Sequence, residues 1–337
     1  MVIVVAYFLL WMPALLGWGV WIVWIRRQRE VVAPAWDTLY VVSGMATLTA
    51  VAIILNFVMP ITLAYLIIRV IPLVYTGWMS LHNWNLGRVE HIFIGAANYE
   101  RLLNDASFKL ALGNTTLFAL VTVPVTLFLS FVVALLLNQP MRGRLEGFYK
   151  LLIFLPVVPT MVPVSVIWKW IYDPSYGVLN YVLSWFGVAP QGWLINPSLA
   201  IWSVILMTIW KNVGYYMVLF LVGLKEIPQE YYEAAGIDGA SAWQQLVHLT
   251  LPLLRPLLLF NIVIATIFAY NVFAHVYVMT DGPHGSGTNP VRVIVLDMYE
   301  NGFRFLKMGY ASAEAMVLLA IVLTLTIIEF RFLRAKD

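Results

Sequence analysis

The chain contains no cysteine among its 337 residues, and charged residues make up only 11% of it. The absence of cysteine excludes disulfides, thiol catalysis and iron–sulfur ligation by this chain. Its five histidines lie in separate segments, without the spacing of a metal site. The Gly-x-x-x-x-Gly-Lys-Ser/Thr loop that cradles nucleotide phosphates is missing, so the chain does not bind ATP by that route. A net charge of +3 is too small to indicate a nucleic-acid partner.

Apolar surface dominates the chain instead, since hydrophobic residues form 62% of it. Soluble domains carry about 25% charged residues, and a transmembrane helix needs about 20 mostly apolar residues. We therefore expect an all-α, polytopic bundle of membrane helices in contact with lipid. Eight apolar runs are candidate spans: residues 2–25, 39–55, 61–80, 114–137, 151–168, 199–224, 257–279 and 309–330.

One polar stretch, residues 225–252, separates two of these runs and has the composition of a folded helical loop. Pro228 is a favourable first helical residue, because its missing N–H would be unpaired there anyway, so a short helix is predicted to begin there. Gly236 and Gly239 favour a break, since glycine adopts left-handed backbone angles at little cost. A second short helix is predicted to begin near Ser241, so the stretch indicates two short helices joined by a tight turn.

The spacing of Glu233-Ala-Ala, Gly239 and Leu249-Thr-Leu-Pro252 resembles the EAA loop of binding-protein-dependent ABC importer permeases. The family has Ile where this chain has Leu249, which is a mild apolar exchange. The longer run, residues 233–256, is similar to the carbohydrate branch of the family, the maltose-permease (MalF-like) branch. The resemblance implies that seven residues couple this chain to an ATPase: Glu233, Ala234, Ala235, Asp238, Gly239, Leu251 and Pro252.

In this family the short loop helix sits in a cleft of a separate ATP-binding subunit. The resemblance implies that Glu233 pairs with a basic group there, that Ala234 and Ala235 permit close approach, and that Gly239 makes the turn. It implies no cofactor on this chain, with ATP and Mg²⁺ on a partner ATPase dimer. The other implied partners are a second, MalG-like permease and an external solute-binding protein. The implied location is a bacterial-type cytoplasmic (inner) membrane, which the chain crosses several times.

The resemblance covers residues 60–334 and implies six core spans. Residues 1–59 are predicted to form an extra N-terminal membrane hairpin, and residues 60–337 the permease domain. The run at 2–25 has no charged leader, so we expect a retained anchor rather than a signal peptide. Whether residues 39–55 cross the membrane stays open, and with it the side of the N-terminus, because the loop charges are too evenly distributed to decide orientation.

Polar and aromatic residues within two spans are candidates for the solute path, because intramembrane polar groups usually face a bundle interior or a wet cavity. Sugars suit such a lining, since their CH faces stack on aromatic rings and their hydroxyls pair with amides. Each residue also suits an interfacial belt or a contact between helices. The candidates are Trp210, Asn212, Tyr215 and Tyr216 in one span, and Asn261, Tyr270, Asn271 and Phe273 in the other.

The leading interpretation is a permease that forms half of a translocation pathway for a sugar or oligosaccharide. Arg69 lies within a span and leaves open an anionic solute such as glycerol-3-phosphate, or another polyol; it equally suits a partner subunit or a lipid headgroup. A stand-alone secondary carrier is expected to show paired repeats with broken helices, whereas the prolines here cluster in one span, residues 151–168. A membrane-embedded enzyme would need clustered His, Asp or Glu. Lys211 has no assigned role.

Overall fold

The computed structural model describes residues 58–87, 91–139, 143–280 and 291–333, together with isolated positions between 44 and 56. The predicted first span, residues 2–25, lies outside the described residues. The predicted second span, residues 39–55, lies almost entirely outside them, so the N-terminal hairpin stays a prediction.

The described chain is helical almost throughout. Two very short strands, β1 (His82–Asn83) and β2 (Ile92–Phe93), pair in antiparallel register, with His82 opposite Phe93. The helices are α1 (Met59–Ser80), α2 (Ala97–Asn104), α3 (Ala106–Leu137), α4 (Gly143–Phe154), α5 (Met161–Ile171), α6 (Val178–Ser184), α7 (Pro197–Glu226), α8 (Gln229–Ile237), α9 (Ala242–Leu253), α10 (Arg255–Tyr270), α11 (Ala274–Met279), α12 (Ile294–Tyr299) and α13 (Met308–Leu333).

Four helices, α1, α3, α7 and α13, are long and apolar enough to cross a membrane. Two further spans arise if each of two bent helix pairs counts as one. The pair Glu146–Val157 and Met161–Ile171 bends by 93°, and the pair Ala242–Leu253 and Arg255–Tyr270 bends by 67°. Apolar helices therefore stand at all six positions predicted for the core spans.

The helix boundaries correct the predicted spans in three places. Helix α3 begins at Ala106 rather than at residue 114, because the Asp105 side chain accepts from the Ser107 N–H and caps the helix there. Residues 151–168 form no continuous span, since the chain breaks at residues 158–160. The predicted span at 257–279 also divides, because α10 ends at Tyr270 and α11 starts only at Ala274.

The chain divides into two compact units, Met1–Leu73 and Val74–Asp337. In the first unit the described part is chiefly the beginning of α1, where Arg69 lies in an exposed π-helical turn, Leu66–Val70. The border between the units falls inside α1, and the predicted domain boundary after residue 59 stays a prediction.

The core of the second unit is built on α3 and α7, which pack against each other along their length. Small and polar residues permit this close approach, as is usual between membrane helices. Ser130 Oγ donates to the Val213 carbonyl across the interface at 2.9 Å. Gly214 faces α4 so closely that a Cβ there would overlap the carbonyl oxygen of Ile153. The long central helix α7 is therefore held on two sides.

The contacts between the helices of the second unit divide its loops between two ends of the bundle. Residues 81–105, 172–196 and 291–307 connect spans at one end. The end of α3 at Leu137 and the α8–α9 segment lie at the other end. The predicted coupling loop and the 291–307 segment are thus at opposite ends of the bundle.

Candidate functional site

The loop between α7 and α10 folds as two short helices, as its sequence predicts. Helix α8 begins directly after Pro228 and runs on through Gly236 to Ile237. Gly239 then takes a φ of 75°, which terminates the helix. Ser241 caps the second helix in a reciprocal capping box with Gln244. The turn at Gly239 therefore separates two helices whose ends are both fixed by local backbone chemistry.

The predicted coupling residues lie on the surface of this loop. Within the described part of the chain, the exposed Glu233 carboxylate makes no hydrogen bond or ion pair. Ala234, Asp238, Gly239 and Pro252 are exposed as well, whereas Ala235 and Leu251 are half-buried. Two large apolar side chains stand out beside them, Ile237 at 88% exposed and Trp243 at 71%. These exposed groups give the loop a surface of mixed apolar and charged character.

A side-chain hydrogen bond fastens helix α8 to the end of α9. The Tyr232 hydroxyl on α8 hydrogen-bonds to Thr250 Oγ1 at 3.0 Å. Thr250 is buried and also donates to the Gln245 carbonyl at 3.3 Å. Tyr232 thus links the exposed helix to the buried end of α9, which leads directly into α10.

A second candidate site is a cavity of about 440 Å³ within the helix bundle, which we call the central cavity. Five of the eight predicted solute-path residues line it: Asn212, Tyr215, Tyr216, Asn271 and Phe273. Asn271 and Phe273 reach it because the chain leaves helical geometry between α10 and α11. The volume and the mixture of aromatic, amide and hydroxyl groups are typical of a small-molecule site.

The other three predicted residues lie elsewhere. Trp210 is two residues from Asn212, about 200° around the helix, and lines a separate apolar hollow with Trp168, at 5.3 Å between ring centroids. Asn261 is fully buried, and its amide nitrogen and oxygen have no hydrogen-bond partner among the described residues. Tyr270 is buried and reaches only Thr116 Oγ1, at 3.5 Å. None of the three lines the central cavity.

Several lining residues were not singled out from the sequence. Thr122 and Thr126 on α3 line the central cavity, and their buried hydroxyls lack a hydrogen-bond partner among the described residues. With Ser130 they form a polar stripe at intervals of four residues, a helical spacing that the sequence displays. Further lining residues are Phe118, Val157, Met161, Thr208, Ala265, Phe268, Ala269, Val272, Ala274 and His275.

Lys211 stabilises the break between α4 and α5. Its buried ammonium group donates to the carbonyls of Pro156 at 3.1 Å, Val157 at 3.4 Å and Pro159 at 2.8 Å. Proline lacks an N–H and interrupts the helical hydrogen bonds, so these carbonyls need other donors inside a membrane. Lys211 therefore has a structural role that its position in the sequence did not reveal.

A buried ion cluster lies at the opposite end from the coupling loop. The guanidinium of Arg292 contacts the carboxylates of Asp297 and Glu300, the latter at 2.8 Å. Burial by itself lowers the pKa of Arg292, but Asp297 and Glu300 raise it above the ordinary arginine value. Glu314 on α13 is fully buried beside this group and accepts from Asn301 Nδ2 at 3.0 Å. The cluster holds the 291–304 segment against α13.

Across the described ranges, no group of His, Asp and Glu has the arrangement of a metal site.

A family model for the inner membrane component of binding-protein-dependent transport systems matches residues 126–335, which include the α8–α9 loop and most of the central cavity. The chain belongs to this family and is a permease component of such a transport system.

Three permeases of sugar transport systems are similar to this chain over most of their length. The chain is 34% identical over 275 residues to the trehalose/maltose transport system permease protein MalF of Thermococcus litoralis, covering 81% of this chain and 91% of that protein. It is 34% identical over 247 residues to the lactose transport permease LacF of Rhizobium radiobacter, covering 72% of this chain and 82% of that protein. The sulfoquinovosyl glycerol permease SmoG of Agrobacterium fabrum is 35% identical over 268 residues, covering 79% of this chain and 84% of that protein.

A solved structure shares the fold. A chain of a bacterial alginate ABC transporter, crystallised with an alginate-bound periplasmic protein, superposes with a TM-score of 0.75 at 21% identity. The match covers 86% of this chain and 96% of that chain. The polytopic helical bundle of ABC importer permeases is therefore the fold of this protein.

Proposed function

We propose that this chain is one permease subunit of an ATP-driven importer and forms half of the pathway for a sugar or oligosaccharide. An external solute-binding protein delivers the solute, and a second, MalG-like permease completes the pathway. A dimer of separate ATPase chains binds ATP and Mg²⁺, and this chain carries neither cofactor nor catalytic site. The location is the cytoplasmic membrane of a prokaryotic cell, with the α8–α9 loop on the cytosolic side.

The observation that carries the proposal is the exposed helix α8 and its link to the membrane. Glu233 presents a carboxylate without a partner in the described part of the chain, next to the exposed Ile237. A cleft on an ATPase subunit is complementary to this surface if it places a basic group opposite Glu233 and apolar side chains opposite Ile237. Because Tyr232 ties α8 to Thr250, a displacement of the docked helix passes to α9 and α10. Asn271 and Phe273 follow α10 and line the central cavity, so the same displacement reaches the solute site.

A neutral solute fits the central cavity better than an anion. Among the described residues no Lys, Arg, Asp or Glu lines it, whereas threonine, tyrosine and asparagine side chains supply donors and acceptors for hydroxyl groups. Aromatic rings of Tyr215 and Phe273 offer apolar faces. The permeases of trehalose/maltose, lactose and sulfoquinovosyl glycerol systems are relatives of this chain and support a carbohydrate solute.

The test is copurification of the tagged chain from its native host with its partners. We expect an ATPase to accompany the wild-type chain and to be lost from Glu233→Lys. Glu226→Lys is the matched control, because Glu226 is an equally exposed acidic residue that lies outside α8. Retention of the ATPase by Glu233→Lys, or its loss from both variants, contradicts the docking role of α8. Solute movement by the chain alone in liposomes, with no ATPase present, identifies a secondary carrier and overturns the proposal.

A further inference from the structure

A second polar cavity lies at the end of the bundle opposite the α8–α9 loop. It measures about 380 Å³ and is lined by residues of four segments: the turn after β1, helix α2, the start of α3 and the stretch that leads into α13. Four asparagine side chains line it, so we call it the amide cavity: Asn83, Asn85, Asn98 and Asn301. It shares no lining residue with the central cavity.

The walls of the amide cavity are joined by backbone hydrogen bonds. Leu86 N–H donates to the Leu306 carbonyl and Gly309 N–H donates to the Trp84 carbonyl, each at 3.0 Å. Gly309 is required at this contact, because a Cβ there would overlap the carbonyl oxygen of His82. The Trp84 ring, which lines the cavity, is itself stacked on His91 at 3.5 Å between centroids. The site is therefore preorganised, which reduces the entropic cost of binding.

The lining amides are oriented by their own hydrogen bonds. Asn98 Nδ2 donates to the carbonyls of Ser80 and His82, at 2.8 and 3.1 Å, which leaves its side-chain oxygen as an acceptor. Asn301 Nδ2 donates to Glu314, so its oxygen is likewise directed away from that bond. The two buried amides therefore present acceptors of fixed orientation, which suit a ligand that carries O–H donors.

The cavity also offers donors. Arg101 lines it and is exposed, and its guanidinium makes no hydrogen bond or ion pair with described residues. Lys307 contributes a second cationic donor, whereas the Asp105 carboxylate accepts from Tyr310 at 2.6 Å and from the Ser107 N–H at 2.8 Å. An anion site needs donors alone and a cation site needs acceptors alone. A lining that mixes both, on planar side chains beside an indole ring, complements the hydroxyl groups and CH face of a saccharide.

We propose that the amide cavity is a second saccharide-binding site, distinct from the central cavity and placed where solute arrives. This inference rests on the proposed carbohydrate specificity. It adds a site at which the sugar contacts the permease before it enters the bundle.

The experiment is saturation-transfer difference NMR on the purified transporter complex in nanodiscs, without solute-binding protein. The probes are maltose, trehalose and lactose. Asn83→Ala with Arg101→Ala removes one amide and the guanidinium from the cavity. The matched control is Asn104→Ala with Lys109→Ala, because these exposed residues lie on α2 and α3 near the cavity and neither lines it. Tyr215→Leu is added to the wild type and to both double variants. Sugar bound in the central cavity then contributes equally little to each spectrum.

We expect at least one probe to give a signal that falls at least threefold in the cavity variant and is unchanged in the control. Equal signals in the two double variants, or no signal from wild type with any probe, overturn the proposal. Loss of ATPase stimulation by the solute-binding protein, with an unchanged sugar signal, assigns the cavity to protein contact and also overturns it. A failure of the proposed function is distinguishable from a failure of this inference. The former appears as a missing ATPase in the copurification experiment, which the NMR spectrum does not measure.

Discussion

The ammonium group of Lys211 lies 2.8 Å from the carbonyl oxygen of Pro159, in the middle of a predicted membrane span. This contact explains how a chain with prolines at 156, 159 and 163 turns by 93° inside a bundle. The carbonyls freed by the prolines receive a charged donor from α7 instead of a backbone N–H. The break positions Val157 and Met161, which both line the central cavity, so Lys211 helps to shape that cavity.

Replacing Lys211 by methionine keeps the length of the side chain and removes its donors. Each buried carbonyl left without a partner costs about 1–3 kcal/mol, so we expect a clear loss of stability. The measurement is the thermal unfolding midpoint of the purified complex in detergent. Lys225→Met is the control, because its side chain is 57% exposed. Equal midpoints for the two variants would mean that water, rather than Lys211, satisfies the break.

Gly214 is predicted to be irreplaceable for steric reasons. A methyl group at this position overlaps the carbonyl oxygen of Ile153 and also meets the Val157 side chain at 3.0 Å. Gly214→Ala should therefore separate α7 from α4 and destabilise the complex by about 1–3 kcal/mol, as overpacking usually does. Gly147→Ala on α4 is the control, since a Cβ there has no neighbour within 4 Å. Thermal unfolding of both variants separates packing from general helix propensity, and a destabilised control would contradict this explanation.

The elements that the sequence predicts well are those with local causes. The α8–α9 turn is an example, because Pro228, Gly239 and Ser241 act through neighbouring backbone groups. Apolar runs likewise predict the four unbroken spans, with Asp105 showing how a cap extends α3 beyond its apolar part. The central cavity was only partly predictable, since residues two positions apart, such as Trp210 and Asn212, face different surroundings.

Features with distant causes could not be predicted from the sequence. The carbonyl partners of Lys211 lie more than fifty positions earlier in the chain, and no local pattern connects them. The same holds for Asn114, whose side chain donates to the Arg292 carbonyl at 2.9 Å across 178 positions. Such contacts depend on which helices become neighbours, and a single sequence does not encode that information in its periodicity.

Gly239 and Gly236 offer a matched pair within the α8–α9 loop. Gly239 has a φ of 75° whereas Gly236 is helical, and a Cβ meets nothing within 4 Å at either position. A left-handed conformation costs a non-glycine residue about 1–2 kcal/mol, while alanine favours a helix by about 1 kcal/mol over glycine. We expect Gly239→Ala to reduce copurification of the ATPase and Gly236→Ala to preserve it. The reverse order would show that side-chain contact with the partner, rather than the turn, governs docking.

The buried ion cluster predicts opposite effects for two of its members. Arg292 is the single cation among three carboxylates, so Arg292→Met leaves buried negative charge and should cost about 3–5 kcal/mol. Glu314→Gln removes a fully buried carboxyl group that lies beside two other carboxylates, and it keeps an oxygen that accepts from Asn301. It should therefore leave stability nearly unchanged or increase it. Thermal unfolding of the two variants checks this, and a large loss in Glu314→Gln would mean that its charge is needed.

The link between Tyr232 and Thr250 predicts a variant that binds the ATPase but transmits its motion poorly. Tyr232→Phe removes the hydroxyl that bonds Thr250 Oγ1 at 3.0 Å and leaves the aromatic ring in place. Such a hydrogen bond contributes about 0.5–1.5 kcal/mol, so we expect solute uptake per ATP hydrolysed to fall about two- to tenfold. Tyr231→Phe is the matched control, because the Tyr231 side chain is half exposed and its hydroxyl makes no hydrogen bond within the described chain.

Uptake into proteoliposomes and ATP hydrolysis are measured on the same preparation, so that coupling is separated from assembly. Loss of the ATPase from Tyr232→Phe during purification would place the hydroxyl in the docking surface instead. An unchanged ratio of uptake to hydrolysis would show that α8 moves α9 through the backbone alone. A lower ratio with the ATPase retained identifies Tyr232 as the side chain that carries motion from the exposed helix into the membrane.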